Sequence, residues 1–168
     1  MIFYFINKAK ISLFCSIFVT KKIDSMDITK FKHTLPIQVR FNDVDSFGHV
    51  NNTIYFSFYD LGKTTYFDEV RRQFPELSDI AAVIVNAQVD FLLPVYMAEQ
   101  IAVQTAVIEI GNKSFKLQQQ VINTKTGEVK CVCRTIMVGF DKKSSTSQPI
   151  PDEWKTAITE FEGGEALG

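Results

Sequence analysis

Cysteine and histidine are scarce in this sequence of 168 residues. It has three cysteines, Cys15, Cys131 and Cys133, and two histidines, His33 and His49. The C-x-C pair of Cys131 and Cys133 falls in a strand pattern, where residues two apart share a face but seldom form a disulfide. No C-x-x-C or H-x-x-x-H spacing occurs. We therefore expect reduced core cysteines, no four-ligand zinc site, no metal and no cofactor.

An excess of charge of either sign is also lacking, since the formal net charge is -1. Binding to a nucleic-acid backbone requires clustered, uncompensated Lys and Arg, so we expect no nucleic-acid partner. The chain is 46% hydrophobic and contains 15 Phe, which is typical of a globular protein with an aromatic core. Its length fits one domain that needs no disulfide or metal.

Long hydrophobic runs are absent as well. The longest candidate, Ile11 to Val19, is flanked by lysines and is about half of the ~20 residues that a membrane-spanning helix needs. A secretory signal remains a second interpretation, although no small-x-small cleavage site precedes Lys21. We favour a third, in which translation starts at Met26, residues 1–25 are a non-functional N-terminal extension, and the protein is cytoplasmic without a membrane partner.

The remainder of the chain predicts one α+β domain over residues 26–143, followed by a linker and a short helix over 144–168. Leu35 to Phe41 alternates apolar and polar residues, as a half-buried strand does. A stretch without proline predicts a long helix from Thr53 to about Phe74. Period-two patterns then predict four strands joined as an antiparallel meander, at 81–91, 100–110, 113–123 and 129–140. The helix is apolar on nearly all faces, so we expect the sheet to curl around it.

Residues able to do chemistry concentrate in the loop before the long helix. Asp43 and Asp45 are followed by Gly48, His49, Asn51 and Asn52. A helix N-terminus offers unpaired N–H groups to a developing oxyanion, so this loop can place a base or nucleophile beside an electrophilic cradle. Asp and Asn before a helix also serve as caps, which is the role we expect for Asp43. A lone histidine is often only a hydrogen-bonding residue.

The loop resembles a known family signature. Residues 39–52 (VRFNDVDSFGHVNN), with Tyr55 and Tyr59 beyond them, resemble the 4-hydroxybenzoyl-CoA thioesterase family of hotdog proteins, in the acyl-CoA thioesterase branch with the pattern D-x-D-x-x-G-H-V-N-N. The resemblance runs from about Leu35 to Glu162 and includes FLLPV at 91–95, GNKSF at 111–115 and PIP at 149–151 with Trp154.

This resemblance implies a hotdog fold, in which a long central helix is wrapped by a five- or six-stranded antiparallel sheet. It also implies a homodimer or homotetramer with active sites between two subunits. Asp45 matches the catalytic carboxylate, which either attacks the thioester carbonyl to give a mixed anhydride or activates water. The implied substrate-binding residues are Gly48, His49, Val50, Asn51, Asn52, Tyr55, Lys113 and Ser114.

The implied function is hydrolysis of acyl-CoA to a free acid and CoA. Lys113 matches a position at which relatives contact the CoA phosphates, although a solvated hairpin lysine has the same appearance. Two departures from the family bear on the helix: Asp60 stands where many relatives have Glu, and Gly62-Lys63-Thr64 replaces an Ala-Arg type of stretch. Alternatives are an acyl-carrier-protein thioesterase or a dehydratase on the same fold, or a non-catalytic acyl-CoA binding module.

Overall fold

The structure, a computed structural model, describes residues 31–164 and Leu167. The expected extension at residues 1–25 therefore lies outside the described residues. The strands are β1 (His33–Ile37), β2 (Ala82–Phe91), β3 (Ile101–Ile110), β4 (Ser114–Asn123), β5 (Val129–Asp141) and β6 (Thr146–Ser147). The helices are α1 (Ile54–Gln73) and α2 (Asp152–Glu162), and a short 3-10 turn spans Phe41–Asp43.

Within the described part of the chain, the strands form one antiparallel six-stranded sheet in the order β1-β3-β4-β5-β2, with β6 paired to β5. The predicted long helix and four long strands are confirmed. The predicted meander is wrong in one respect, because β2 lies beyond β5 instead of beside β3. The connection at residues 92–100 contains Pro94 and is long enough to cross from one edge of the sheet toward the other. We call it the crossing loop.

Helix α1 packs one face on this sheet, as a hotdog fold requires. Most of its buried residues recur at intervals of three or four positions, and they are Tyr55, Phe58, Tyr59, Gly62, Tyr66 and Val70. That spacing brings them to a single helix face. The expectation that the helix is enclosed on nearly all sides is wrong for one chain, since Phe56 is 49% exposed and Leu61 50% exposed. A single sheet covers only one side of a helix.

Gly62 marks the closest approach of α1 to the sheet. A Cβ added there would lie 2.6 Å from Val103 Cγ1 and 3.1 Å from Thr105 Oγ1. The atoms that come close belong to side chains of β3 and to the Gln119 side chain. Gln119 also donates from Nε2 to the Tyr59 carbonyl at 2.9 Å, which ties the helix to β4.

Strand β1 begins and ends earlier than the predicted range of Leu35 to Phe41. Its last paired residue, Ile37, faces Ile101, the first residue of β3. Beyond that point the chain has no strand to pair with, and it turns away. Asp43 stabilises the turn, because its carboxylate accepts the Arg40 N–H at 2.8 Å.

The core divides into two clusters along α1. The first surrounds Tyr55, Phe58 and Tyr59, and the second surrounds Tyr66 and Val70. Helix α2 belongs to the second cluster through Trp154, which is fully buried. No helix in residues 31–164 is long and apolar enough to span a membrane.

Candidate active site

Asp45 lies in a tight hairpin directly before α1. Val44 and Val50 form an antiparallel bridge, and the Asp45 N–H donates to the His49 carbonyl at 3.0 Å. Gly48 closes the turn with a φ of +82°, a left-handed conformation that glycine adopts without steric cost. Gly48, which the resemblance implies is a substrate-binding residue, is exposed in this turn.

The Asp45 side chain has a defined orientation in this hairpin. Its Oδ1 accepts the Phe47 N–H at 2.8 Å, and its Oδ2 lies 3.9 Å from His49 Nδ1. The Asp45 side chain is 23% exposed and that of His49 35% exposed. The His49 ring stacks on Phe47 with centroids 6.1 Å apart. A carboxylate held this way keeps one oxygen accessible, which suits a base or a nucleophile.

The first turn of α1 follows at once. Asn51 Oδ1 accepts the Thr53 N–H at 2.9 Å and the Thr53 hydroxyl at 2.8 Å, and the Ile54 N–H donates to the Asn51 carbonyl. Thr53, the N-cap residue, makes no side-chain cap hydrogen bond. Helix N–H groups in the first turn lack intrahelical partners and carry partial positive charge. The turn can therefore stabilise negative charge on an oxygen placed near it.

Asp43 has a different position from Asp45, although only one residue separates them. It is 1% exposed, and its Oδ1 accepts from Arg40 Nη2 at 2.8 Å. Burial by itself would raise the pKa of Asp43, but the hydrogen bonds and charge of Arg40 outweigh it and lower that pKa. Asp43 thus caps the 3-10 turn, in agreement with the expected capping role, and it does not cap α1.

Two of the expected substrate-binding residues are packed in the core of the single chain. Val50 is 1% exposed and donates its N–H to the Val95 carbonyl at 2.8 Å. Tyr55 is 2% exposed, and its ring meets Phe91 edge-on at 5.3 Å. Burial raises the pKa of Tyr55, so its hydroxyl stays protonated. Asn52, in contrast, is exposed beside the hairpin.

Lys113 and Ser114 lie at the opposite end of the sheet from Asp45. They follow β3, whose first residue pairs with the end of β1 that leads into the Asp45 hairpin. Ten strand residues at ~3.3 Å each separate the two ends by roughly 30 Å. Lys113 Nζ lies 3.4 Å from Ser147 Oγ. One chain alone therefore does not bring these two residues to Asp45.

A groove runs between α1 and the face of the sheet that includes β2 and β5. It has a volume of about 150 Å³, and it is lined by apolar residues, Phe56, Tyr59, Ile84, Ala87 and Cys133, and by polar residues, Asp60, Lys63, Gln119 and Thr135. The sequence did not lead us to expect residues of β2 in the wall of this groove. A signal for it is the run of apolar residues at the start of β2, which the structure leaves exposed at the sheet edge.

No group of three His, Cys, Asp or Glu that could hold a metal occurs in the described residues. Cys131 and Cys133 are free and buried, as expected for core cysteines. Burial raises the pKa of Cys131 to about 12, so its thiol is protonated and a poor nucleophile.

This chain is similar in sequence and in fold to several known proteins. A curated relative, the 1,4-dihydroxy-2-naphthoyl-CoA hydrolase of Nostoc punctiforme, is 27% identical over 138 residues, covering 76% of this chain and 89% of the relative. The structure of a predicted thioesterase from Bacillus stearothermophilus matches with 26% identity and a TM-score of 0.66, covering 77% of this chain and 95% of that one. The PA5185 protein of Pseudomonas aeruginosa matches with 27% identity and a TM-score of 0.68, covering 78% and 92%.

The family itself follows from the sequence match. Residues 39–158, which include the Asp45 hairpin, α1, strands β2 to β6 and most of α2, match the model of the Thioesterase-like superfamily. The chain therefore belongs to the Thioesterase-like superfamily and has its hotdog fold.

Proposed function

We propose that the protein is an acyl-CoA thioesterase of the 4-hydroxybenzoyl-CoA thioesterase type, with Asp45 as the reacting carboxylate. The observation that carries the proposal is the fixed, partly exposed Asp45 carboxylate at the mouth of α1. The motif in which Asp45 stands supports it, and so does the similarity to a curated naphthoyl-CoA hydrolase.

Asp45 has two chemically complete routes to hydrolysis. In one, a carboxylate oxygen attacks the thioester carbon, CoA leaves as the thiolate, and water then cleaves the mixed anhydride. In the other, the carboxylate takes a proton from water as that water attacks. In both, the carbonyl oxygen gains negative charge, which the first-turn N–H groups of α1 stabilise. His49 and Asn51 line this position, and the groove along α1 receives the acyl group.

The second half of the proposed site comes from another copy of the chain. Strand β2 is an edge of the sheet, and its residues Val83, Ile84 and Val85 are 41%, 46% and 58% exposed. An exposed apolar edge strand is a template for pairing with another strand. We propose that two copies join through β2 in a homodimer. A homotetramer would consist of two such pairs.

Antiparallel pairing of the two β2 strands, as two-fold symmetry gives it, accounts for the remote position of Lys113. The Phe91 end of β2 lies at the Asp45 end of the sheet, since Phe91 pairs with Cys131 and Tyr55 contacts its ring. The Ala82 end lies beside Lys113, because Gly139 pairs with Ala82 and donates its N–H to the Lys113 carbonyl. Lys113 and Ser114 of one copy then approach the Asp45 hairpin of the other, where the lysine can bind CoA phosphates.

The activity is tested by thiol release from a panel of aliphatic and aromatic acyl-CoA esters. We expect thiol and free acid to accumulate in equal amounts with at least one member of the panel. Parallel incubations with enoyl-CoA and with acyl groups on a carrier protein separate the dehydratase and carrier-protein alternatives. Thermal stabilisation by acyl-CoA without thiol release would instead identify a binding module and overturn the proposal.

The dimer is tested by placing a charge on the β2 edge. We expect Val85→Lys to convert the protein to a monomer, because a lysine on an edge strand prevents strand pairing. Light scattering coupled to size-exclusion chromatography measures the mass. Thr34→Lys is the matched control, since Thr34 is an exposed residue of β1, the strand at the opposite edge of the sheet. An unchanged mass for Val85→Lys would exclude β2 as the interface.

A further inference from the structure

Glu99, a partly buried carboxylate near the end of the crossing loop, accepts hydrogen bonds from three donors. Its Oε1 accepts from Lys130 Nζ at 2.8 Å and from Asn123 Nδ2 at 3.0 Å, and its Oε2 accepts the Tyr96 N–H at 2.8 Å. The Glu99 side chain is 20% exposed. Burial by itself would raise the pKa of Glu99, but these donors outweigh it and lower that pKa. Glu99 is therefore ionised at neutral pH and fixed from three directions.

Lys130 holds both ends of the crossing loop. Its side chain is only 6% exposed and contacts Glu99 at the end of the loop, with a second contact to Glu128 at 3.3 Å. Its carbonyl accepts the N–H groups of Leu92 and Leu93 at the start of the loop, both at 2.9 Å. A buried ammonium group is costly unless it is paired. The ion pair with Glu99 therefore fixes the end of the crossing loop next to Lys130.

The crossing loop in turn holds the Asp45 hairpin. The Val95 carbonyl accepts the Val50 N–H at 2.8 Å, and both valines are buried, at 0% and 1% exposure. Val50 bridges to Val44 across the hairpin that contains Asp45. A continuous set of contacts thus leads from Lys130 through Glu99 and the loop to the hairpin backbone.

We propose that the Lys130–Glu99 ion pair is a positioning element, which sets the place of Asp45 by clamping the crossing loop against Val50. The inference rests on the proposed function of Asp45. Neither Lys130 nor Glu99 touches the substrate; they act through the backbone bond between Val95 and Val50. Because reacting groups must be placed to within a fraction of an ångström, a loosened hairpin lowers turnover without removing a chemical group.

The test begins with Glu99→Gln, which keeps the side-chain size but removes the charge that pairs with Lys130. Amide hydrogen exchange of the wild-type and variant proteins is measured residue by residue. We expect the Val50 amide to exchange at least about tenfold faster, since hydrogen bonds to charged groups are the stronger ones. Amides in the centres of β3 and β4 should be unaffected. In acyl-CoA hydrolysis, kcat should fall at least about tenfold with KM unchanged.

Two further variants separate positioning from general stability. Glu128→Gln removes the other Lys130 partner, which is 50% exposed, and should leave both the Val50 exchange rate and kcat at wild-type values. The double variant Glu99→Gln with Lys130→Met removes both charges, so it should recover unfolding stability relative to Glu99→Gln alone. Its Val50 amide should nevertheless remain fast in exchange and its kcat low.

Two results would overturn the inference: wild-type Val50 exchange in Glu99→Gln, or recovery of Val50 protection and kcat together with stability in the double variant. The measurement of amide exchange does not depend on the proposed activity. If the wild-type protein releases no thiol from any ester, the proposed function fails, while the exchange rate of the Val50 amide still decides whether the ion pair holds the hairpin.

Discussion

Replacing Asp45 by Asn is expected to lower kcat for acyl-CoA hydrolysis by about a hundredfold or more, the usual scale for a general base. An asparagine has almost the same size as aspartate, and its Oδ1 can still accept the Phe47 N–H that orients Asp45. What it lacks is the negative charge needed to attack a thioester or to take a proton from water. The measurement is initial-rate thiol release at saturating substrate.

A matched control comes from the exposed carboxylate of Glu160 on α2. Helix α2 packs in the second core cluster, whereas the Asp45 hairpin leads into the first, so Glu160→Gln should change kcat by less than about twofold. Equal rates for Asp45→Asn and wild type, in a protein with unchanged unfolding stability, would remove Asp45 from the mechanism.

The two routes open to Asp45 differ in the fate of a solvent oxygen. In a single turnover in heavy-oxygen water, recovery of the label in the Asp45 carboxylate requires a covalent anhydride. General-base catalysis leaves that carboxylate unlabelled and puts the label in the product acid, as does an anhydride that water opens at the acyl carbon, so label in Asp45 identifies an anhydride that water opens at the Asp45 carbonyl. Mass spectrometry of the peptide that contains Asp45 measures the heavy oxygen in its carboxylate.

Local sequence patterns predicted most of the secondary structure. The period-two alternation of β3, β4 and β5 and the proline-free stretch of α1 each depend on neighbouring residues, and all four elements lie within one residue of their predicted ends. The order of strands in the sheet cannot be predicted from the alternation of apolar and polar residues. Whether β2 pairs with β3 or crosses to β5 is decided by the crossing loop and by burial on the assembled sheet.

The early end of β1 also depends on which strand it pairs with in the folded sheet. The alternation continues through Val39 and Phe41, but β3 supplies no partner beyond Ile101. A strand without a partner leaves its backbone groups unpaired, so the chain bends and Asp43 accepts the Arg40 N–H instead. Sequence alone could assign a capping role to Asp43, but the identity of the capped turn followed only from the tertiary structure.

Some residues of the candidate site could be predicted from the sequence and others could not. Asp45, His49 and Asn51 lie in seven consecutive residues, so a local motif was enough to find them. Glu99 and Lys130 lie on different elements, and nothing near either one in the sequence indicates that they form an ion pair. The use of Lys113 depends on a second copy of the chain, which no single-chain pattern describes.

The largest expected loss of stability follows from removing Trp154 of α2. The indole is fully buried, lies edge-on to Phe67 with centroids 5.9 Å apart, and donates from Nε1 to the Ser78 carbonyl at 2.9 Å. The Arg71 guanidinium lies 5.6 Å from its ring centroid. Trp154→Ala should therefore lower the free energy of unfolding by about 3–5 kcal/mol, the range for truncating a large buried aromatic residue.

Urea unfolding followed by circular dichroism measures this loss, because the variant has no tryptophan left for fluorescence. Lys155→Ala is the control on the same helix: its ion pair with Asp152 is largely exposed and should contribute less than about 1 kcal/mol. Trp154→Phe should fall between the two, since it keeps an aromatic ring but leaves the Ser78 carbonyl without its indole donor. A loss below about 1 kcal/mol for Trp154→Ala would mean that α2 contributes little to the second core cluster, and that the sheet and α1 are stable without it.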